Sequence, residues 1–418
     1  MKAGGKSAGG GASAFLPQVE SLRGLAAFCV AFGHCYLALT FASKTSTALY
    51  DRLVNDFIVW PSLIVLNGRA AVLVFFVISG LVLSLGLDKA AAHRSVREYA
   101  IFAGRRALRI YPAHIVSLAL FVPFAWATLF RIPVYDPAAL EAARNGLTLW
   151  VDGFVYGYIN REVLLGTAAL WNNYYNPVTW TLKIELLGSL LLPFFALVSR
   201  SGRLSRDVAI MAALVLSAAF LIDADKRPDL LPLYLPAFYL GCMARTHGRR
   251  LAGSISARRA TRTALLLVSL LLLILPTALA PDGRQLFATT MSMSAGGFIL
   301  VSGVAWKGFP QLDRILLHPL SRAMGRVSYS FYLWHPLVLF AWLRAFFIVV
   351  PPATLSAWSL GVFVGTLLVT IPASLAIAAL SYRWVERPFV ELGRRLGRRS
   401  GRKEDAAAAA ALSAGGAP

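Results

Sequence analysis

The stretch ESLRGLAAFCVAFGHCYLALT, residues Glu20 to Thr40, decides the fold class of this chain. It is apolar and close to the ~20 residues that cross a bilayer as a helix, yet it carries Arg23 at its start and His34 near its middle. Eleven residues at ~100° each return to within roughly 20° of the starting direction, so on a helix both side chains share a face, about 16 Å apart in rise. The stretch predicts a transmembrane helix with Arg23 near one surface and His34 near the midplane.

A histidine at that depth is a hypothesis for a functional site. An ionisable side chain inside a membrane is costly unless it faces the protein interior or a wet cavity. The alternative is structural, because a buried histidine can simply hydrogen-bond to a neighbouring helix. For His34 alone both interpretations stay open.

The composition extends the membrane prediction to the whole chain. Of its 418 residues 57% are hydrophobic, and the mean hydropathy is +0.64, which is typical of a polytopic all-α membrane protein. We predict a flexible tail at 1–17, a membrane domain at 18–390, and a basic, then alanine-rich, disordered tail at 391–418. The predicted spans are 22–42, 68–87, 108–130, 177–199, 207–223, 230–246, 262–280, 286–305, 327–349 and 355–381.

The distribution of charge predicts the orientation of these ten helices. The formal net charge of +21 would indicate a nucleic-acid partner in a soluble domain, but here the basic residues fall in the short loops between apolar segments. With the N-terminus inside, the inner segments carry about three times as many Lys and Arg residues as the outer ones, as the positive-inside rule expects. We therefore predict cytoplasmic termini in a multi-pass protein of a bacterial inner (plasma) membrane, with no nucleic-acid partner.

Cysteines and the remaining histidines indicate no disulfide and no metal. Cys29 and Cys35 lie about 9 Å apart in rise on one helix, too far to bridge, and Cys242 lies in another span; all three are predicted to be packing residues. No histidine pair has metal-ligand spacing with carboxylate or thiolate support, so no metal is predicted. The other histidines are predicted to lie at the surface near the inner face: His93, His114, His247 and His318.

Several different motifs follow one another along the chain, within or next to the predicted spans. They are Ser21-Leu22-Arg23-Gly24 with His34, Phe75-Phe76-Val77-Ile78-Ser79-Gly80, Arg105-Arg106-Ala107-Leu108-Arg109-Ile110-Tyr111-Pro112, Trp180-Thr181-Leu182-Lys183-Ile184-Glu185, Ser328-Tyr329-Ser330-Phe331-Tyr332-Leu333-Trp334-His335-Pro336 and Trp384-Val385-Glu386-Arg387-Pro388-Phe389. In this order the chain resembles, over residues 18–390, the membrane acyltransferase family called acyltransferase 3. Many members carry an acid just before the paired phenylalanines, where this chain has Leu73 and Val74.

The resemblance implies an enzyme that moves an acyl group, usually acetyl, from cytoplasmic acetyl-CoA or another acyl-CoA to a sugar or another acceptor. Acyl transfer to a hydroxyl needs a base, and an imidazole suits that task near neutral pH, so His34 is the candidate. Arg23 lies toward the cytoplasmic mouth, where it can meet the donor's phosphates or pair with Glu20. Arg106 and Arg109 can present two forks to the polyphosphate of coenzyme A, or can be ordinary positive-inside arginines.

Two further ionisable residues are predicted near the midplane. Glu185 lies about 12 Å below the start of its span, where it can orient His34 or bind an acceptor hydroxyl. His335 lies about 13 Å into the ninth span and either lines the same cavity or caps a helix against Tyr329. The motif residues Ser79, Trp180 and Tyr329 complete the candidates for the acceptor cavity.

The predicted outer loop 131–176 is rich in aromatic residues, including Trp150, Phe154, Tyr156, Tyr158, Trp171, Tyr174 and Tyr175. Aromatic rings stack on sugar faces, but Trp and Tyr also form the interfacial belt of membrane proteins. Both interpretations stay open.

The sequence thus favours a membrane O-acetyltransferase that acts on a carbohydrate, such as an envelope or exported polysaccharide or a glycolipid. Its partners would be acyl-CoA, that acceptor and the bilayer. A proton-coupled transporter or a lipid-linked sugar flippase is the alternative, because buried His, Glu and Arg residues also suit such carriers. Thioester cleavage separates the two classes.

Overall fold

The computed structural model describes residues 16–42, 65–87, 95–129, 160–225, 230–279, 286–350 and 353–396. Every regular element in these segments is a helix, so the predicted all-α class is confirmed.

The helices follow the predicted spans closely. They are α1 Pro17–Ala42, α2 Gly68–Leu87, α3 Val96–Phe124, α4 Arg161–Ala168, α5 Thr179–Ser199, α6 Leu204–Asp225, α7 Leu231–Met243, α8 Arg249–Ala257, α9 Arg259–Leu279, α10 Leu286–Ala305, α11 Asp313–Leu316, α12 Pro319–Val349 and α13 Ala353–Ser381. Single π-helical turns extend three of them, at Ala125–Leu129, Ala244–Gly248 and Tyr382–Glu386, and a 3₁₀ turn spans Pro310–Leu312. After the last π-helical turn, residues 387–396 are again helical.

Eight helices in the described segments are long and apolar enough to cross a membrane, namely α1, α2, α3, α5, α6, α9, α10 and α13. The other two predicted spans coincide with α7, which has 13 residues before its π-helical turn, and with α12, which has 31. The chain is therefore a polytopic helical membrane protein. The count of ten spans and the cytoplasmic termini stay predictions.

Helix α3 begins well before the predicted residue 108. Ser95 caps it, because its Oγ accepts a hydrogen bond from the Glu98 backbone N–H at 3.2 Å, and Ser-x-x-Glu is a recognised signal for a helix start. Arg105, Arg106 and Arg109 consequently lie inside a long helix rather than in a loop. The helix that ends at 396 likewise passes the boundary at 390 that we predicted for the membrane domain.

The bundle has two opposite ends, and a cavity lies at each. The basic end carries the start of α1, the end of α2, the start of α3 and residues 387–396, which meet around one cavity. The opposite end carries the end of α1 and the starts of α2, α5 and α10, which meet around another.

The close contact of α1 with α12 depends on two glycines. A Cβ at Gly24 would lie 2.5 Å from the Gly325 backbone nitrogen, and a Cβ at Gly325 would lie 2.6 Å from the Glu20 carbonyl oxygen. Glycines allow two helix backbones to touch, as is common between membrane helices. The helices run in the same direction, because Gly24 meets Gly325 and, further along both, His34 meets His335.

A buried polar cluster joins α6 to the end of α7. Asp207 is fully buried; Tyr239 donates its hydroxyl to Oδ1 at 2.8 Å, and His247 Nε2 lies 2.7 Å from Oδ2. His247 is thus partly buried and paired, unlike the surface residue that we predicted. His114 is also wrongly predicted, because it is fully buried and donates from Nε2 to the Thr167 carbonyl at 2.9 Å.

The two other predicted surface histidines have different outcomes. His318 is exposed and caps the start of α12, whereas His93 lies outside the described residues.

Substitution of Gly325 by Ala is expected to lower stability. The new methyl group would meet the Glu20 backbone, which cannot rotate away, and such overpacking costs about 1–3 kcal/mol. Gly361→Ala is the matched control, because a Cβ there meets nothing within 4 Å and alanine favours a helix. Thermal unfolding in detergent should show a lower Tm for Gly325→Ala alone; equal Tm values would contradict the contact.

Candidate active site

A pair of histidines lies at the contact between α1 and α12. His34 Nδ1 is 2.8 Å from His335 Nε2, and the ring centroids lie 5.1 Å apart with 19° between the ring planes. His335 is fully buried, whereas His34 is partly buried and lines a cavity. The sequence predicted neither this pairing nor its geometry; His335 contacts His34 directly instead of lining the cavity or capping a helix at Tyr329.

The surrounding backbone favours one protonation pattern for a neutral pair. His335 Nδ1 lies 3.3 Å from the Phe331 carbonyl oxygen, and a carbonyl can only accept, so Nδ1 carries the proton. His335 Nε2 is then the acceptor for His34 Nδ1–H. The lone pair of His34 consequently lies on Nε2, which is the state required of a base.

The histidine cavity, which His34 lines, opens toward the opposite end of the bundle. Its volume is about 610 Å³, and most of its described lining side chains are apolar. Aromatic side chains on four helices contribute to it, namely Tyr36, Trp180, Tyr234 and Tyr332. Among the described residues, Arg69 is the one charged lining residue besides the titratable His34, and it is exposed at the start of α2.

A second cavity, here called the basic-end cavity, has a volume of about 310 Å³. Its described lining includes one carboxylate, Glu185, and five arginines: Arg23, Arg105, Arg106, Arg109 and Arg394. Such an excess of cations in a concave site attracts polyanions.

A narrow space of about 50 Å³, here called the neck, lies between the two cavities. It shares Arg23, Ser79, Arg109 and Glu185 with the basic-end cavity. It shares Val72 and Tyr332 with the histidine cavity. The three spaces therefore lie in series between the two ends of the bundle.

Arg23 stands where the basic-end cavity meets the neck. Its Nε donates to Ser328 Oγ at 2.9 Å, and three carboxylates, Glu20, Glu185 and Glu386, lie within electrostatic reach. The hydrogen bond to α12 orients the guanidinium group, and its position in two cavities allows the predicted contact with an anion.

Glu185 and Arg106 form a buried ion pair instead of acting separately. Arg106 Nη2 donates to Glu185 Oε1 at 2.8 Å, with side-chain exposures of 8% and 24%, and Arg106 Nε donates to Ser189 Oγ at 3.2 Å. The orienting role that we predicted for Glu185 at His34 is wrong, because His335 occupies that position. Arg106 is also held in the helix interface, whereas Arg109 lines both the neck and the basic-end cavity.

Three other candidate site residues, Ser79, Trp180 and Tyr329, line the cavities. Ser79 lines the neck and the basic-end cavity. Trp180 lines the histidine cavity and packs against Tyr234 with ring centroids 5.6 Å apart. Tyr329 lines the neck and donates its hydroxyl to the Ile110 carbonyl at 2.6 Å, which holds it between α12 and α3.

Of the aromatic residues in the outer loop that the structure describes, one is buried in the core and two are exposed at the surface. Tyr175 is fully buried, and its hydroxyl accepts a hydrogen bond from the Asn160 backbone at 3.0 Å. Trp171 and Tyr174 are exposed. The remaining aromatic residues of this prediction lie outside the described residues: Trp150, Phe154, Tyr156 and Tyr158.

Sequence reasoning missed Arg105, Arg394, Tyr234 and Tyr332 as cavity residues. Tyr332 precedes His335 by one helical turn and shares a 2.8 Å hydrogen bond with Thr181 on α5, so helical spacing from His335 is a signal that was present. No comparable signal marks Tyr234, because it lies in a continuous apolar segment.

Neither a metal ligand set nor a disulfide occurs in the part of the chain that the structure describes. No group of three or more His, Cys, Asp or Glu side chains there is close enough to hold a metal ion. Cys29, Cys35 and Cys242 are free, and the last two are buried among apolar side chains.

The bundle, its cavities in series and its buried histidine pair define a multi-pass membrane protein with an enzyme-like site. Comparison with known families specifies the class, because residues 16–378 match the family described as an acyltransferase domain. The chain therefore belongs to the acyltransferase 3 family of membrane acyltransferases. No curated protein and no solved structure matches it significantly.

The ion pair of Glu185 and Arg106 makes a double substitution informative. Glu185→Leu leaves the buried Arg106 charge without its partner, which costs about 3 kcal/mol or more. Arg106→Leu combined with Glu185→Leu removes both charges and is expected to recover much of that loss. Thermal unfolding of both single variants and the double variant measures the coupling; strictly additive losses would contradict the pairing.

Proposed function

We propose that this protein is a membrane O-acyltransferase that moves an acyl group, acetyl in the first instance, from cytoplasmic acyl-coenzyme A to a hydroxyl of a carbohydrate acceptor. The acceptor would be an envelope or exported polysaccharide or a glycolipid. The observation that carries the proposal is the histidine pair, which lies along a path from an arginine-rich cavity to a larger, mostly apolar one.

The basic-end cavity suits the donor. Coenzyme A carries phosphates at one end and its thioester at the end of a long, uncharged arm. Guanidinium groups bind phosphate in forked geometry, and Arg109 and Arg23 line the inner part of this cavity. The arm would then pass the apolar neck side chains Val72 and Phe75 toward His34.

The orientation follows from the location of the donor. Acyl-coenzyme A is made in the cytoplasm, so the proposal puts the basic end there, in agreement with the positive-inside distribution of Lys and Arg. The histidine cavity would then face the other side of a bacterial inner membrane. Its Trp180, Tyr234 and Tyr332 rings offer stacking surfaces and one-sided hydrogen bonds to a sugar.

The chemical step needs only the base and the two substrates. His34 Nε2 takes the proton of the acceptor hydroxyl as its oxygen attacks the thioester carbonyl carbon. The new C–O bond forms, the C–S bond breaks, and the coenzyme A thiolate leaves and takes up the proton from His34. The products are the ester and free coenzyme A, and no metal or redox partner takes part.

His335 is a positioning residue in this scheme. Its Nε2 accepts the His34 Nδ1–H bond, so it holds the ring orientation and keeps the His34 lone pair on Nε2. When His34 gains a proton, the same bond stabilises the imidazolium, because a charge-assisted hydrogen bond is stronger than a neutral one.

His34→Gln is expected to lower thioester turnover by at least about a hundredfold, because a positioned general base contributes roughly 10²–10⁴-fold. Release of the coenzyme A thiol from acetyl-coenzyme A by purified protein with added acceptor glycan measures this loss. His318→Gln, which changes an exposed histidine at the start of α12, is the control at equal abundance.

The same variants can identify the acceptor in cells. NMR of surface glycans from a deletion strain should show ester-linked acyl groups with the wild type and the control, and none with His34→Gln. Equal ester content for all three would make His34 a structural residue. If the wild type does not cleave the thioester, the result would favour the transporter interpretation over the acyltransferase.

The positioning role of His335 can be tested with two variants, one that removes the hydrogen-bond acceptor and one that keeps an acceptor atom. His335→Leu removes the acceptor for His34 Nδ1–H, so kcat is expected to fall about tenfold or more, whereas KM for acetyl-coenzyme A stays nearly unchanged. His335→Gln keeps an amide oxygen near that position and should retain more of kcat. Equal loss in both variants, or a loss confined to KM, would contradict the positioning role.

A further inference from the structure

The end of the described chain lies beyond the part that matches the family. The match stops at residue 378, but the chain continues through the π-helical turn Tyr382–Glu386 into a helix over residues 387–396, here called the C-terminal helix. Residues 391–396 belong to the segment that the sequence predicts as a basic, disordered tail. The structure instead brings one face of this helix to the basic-end cavity.

Two contacts fix where the C-terminal helix lies. Glu386, at its base, is 3% exposed and accepts a hydrogen bond from Ser330 Oγ on α12 at 2.8 Å. Gly393 lies against α3, because a Cβ there would be 3.6 Å from Arg105 Cγ. The helix is thus attached to α12 at one end and contacts Arg105 near the other.

The cavity-lining residues of the C-terminal helix share one face. Val390, Gly393 and Arg394 line the basic-end cavity, and the spacing of three and four residues places them along one side of a helix. Arg394 and Arg395 are both exposed, but Arg395 lies about 100° further round the helix and is not among the residues that line this cavity. Adjacent arginines in this helix therefore have different surroundings, and only Arg394 reaches the cavity.

Arg105 and Arg394 present two positive charges to the basic-end cavity. Both line the same cavity, and their positive charges act on each other directly. Among the residues that the structure describes, no carboxylate pairs with Arg105, and the contact of Arg394 is an exposed one with Glu391 at 3.4 Å. An exposed pair of this kind contributes little, so Arg394 can exchange it for a phosphate that both guanidinium groups share.

We propose that the C-terminal helix is part of the donor site, and that Arg394 and Arg105 together bind the ribose 3′-phosphate of coenzyme A at the mouth of the basic-end cavity. This rests on the proposed function. The position of each arginine along the path selects that phosphate. Arg109 lines both the basic-end cavity and the neck, whereas Arg105 and Arg394 line only the basic-end cavity and therefore lie farther from His34. With the thioester at His34, the phosphates nearer the arm fall at Arg109 and the outermost one at Arg105 and Arg394.

Binding of coenzyme A and of dephospho-coenzyme A to the full chain in neutral detergent tests the proposal without turnover. The two ligands differ only in the 3′-phosphate. We expect the wild type to bind coenzyme A about tenfold more tightly or better, since charge-assisted hydrogen bonds are the strong ones. Arg394→Ala and Arg105→Ala should each bring the ratio close to one.

The matched control is Arg395→Ala, which removes the same charge from the same helix and should keep the wild-type ratio. Arg105→Ala with Arg394→Ala should lose little more than either variant alone, because both groups hold one phosphate. A wild-type ratio in Arg394→Ala would overturn the proposal and leave the donor site intact. Wild-type protein that binds no coenzyme A would overturn the proposed function with it.

Anionic lipid is the other source of phosphate at this surface. The binding ratio is therefore also measured in nanodiscs with and without phosphatidylglycerol. If Arg394→Ala keeps the ligand ratio in detergent and only weakens the association of the helix with anionic nanodiscs, the helix binds lipid headgroups and the proposal is wrong. The expected result is the same loss of the ratio in both nanodiscs.

Discussion

The parallel contact between α1 and α12 at Gly24 and Gly325 sets the register on which the site depends. Residue numbers differ by 301 both at this contact and at the histidine pair, so the two helices stay in step over roughly 15 Å of rise. Next to the glycines, Arg23 reaches Ser328; three turns further, His34 meets His335. A shift of one helix by one residue would rotate its histidine by ~100° and break the pair.

The membrane explains why the polar groups of the interior occur in pairs. Unsatisfied polar groups are costly where no water can replace a lost partner. Several polar groups of the described interior accordingly lie in pairs: Arg106 with Glu185, Ser330 with Glu386, Thr181 with Tyr332 and His34 with His335. The histidine pair differs from the others, because His34 also faces the largest of the three cavities.

The sequence predicted the local features of this fold and missed the long-range ones. The helical class and the positions of most spans follow from apolar runs and helical periodicity, which are local properties. The pairing of His34 with His335 depends on the register of two helices about 300 residues apart, and no local pattern encodes it. Glu185 was assigned to His34 on depth alone, whereas α3 brings Arg106 to it. That contact was hidden because α3 starts earlier than its apolar run, at the Ser95 cap.

The most direct test of the account is the tautomer of His34 in the folded protein. ¹⁵N NMR of histidine-labelled protein in nanodiscs, assigned with His34→Gln and His335→Gln, reports which ring nitrogens carry protons. We predict a protonated Nδ1 and an unprotonated Nε2 on His34, with a through-hydrogen-bond coupling from His34 Nδ1 to His335 Nε2. A proton on His34 Nε2, or no coupling between the two rings, would contradict it.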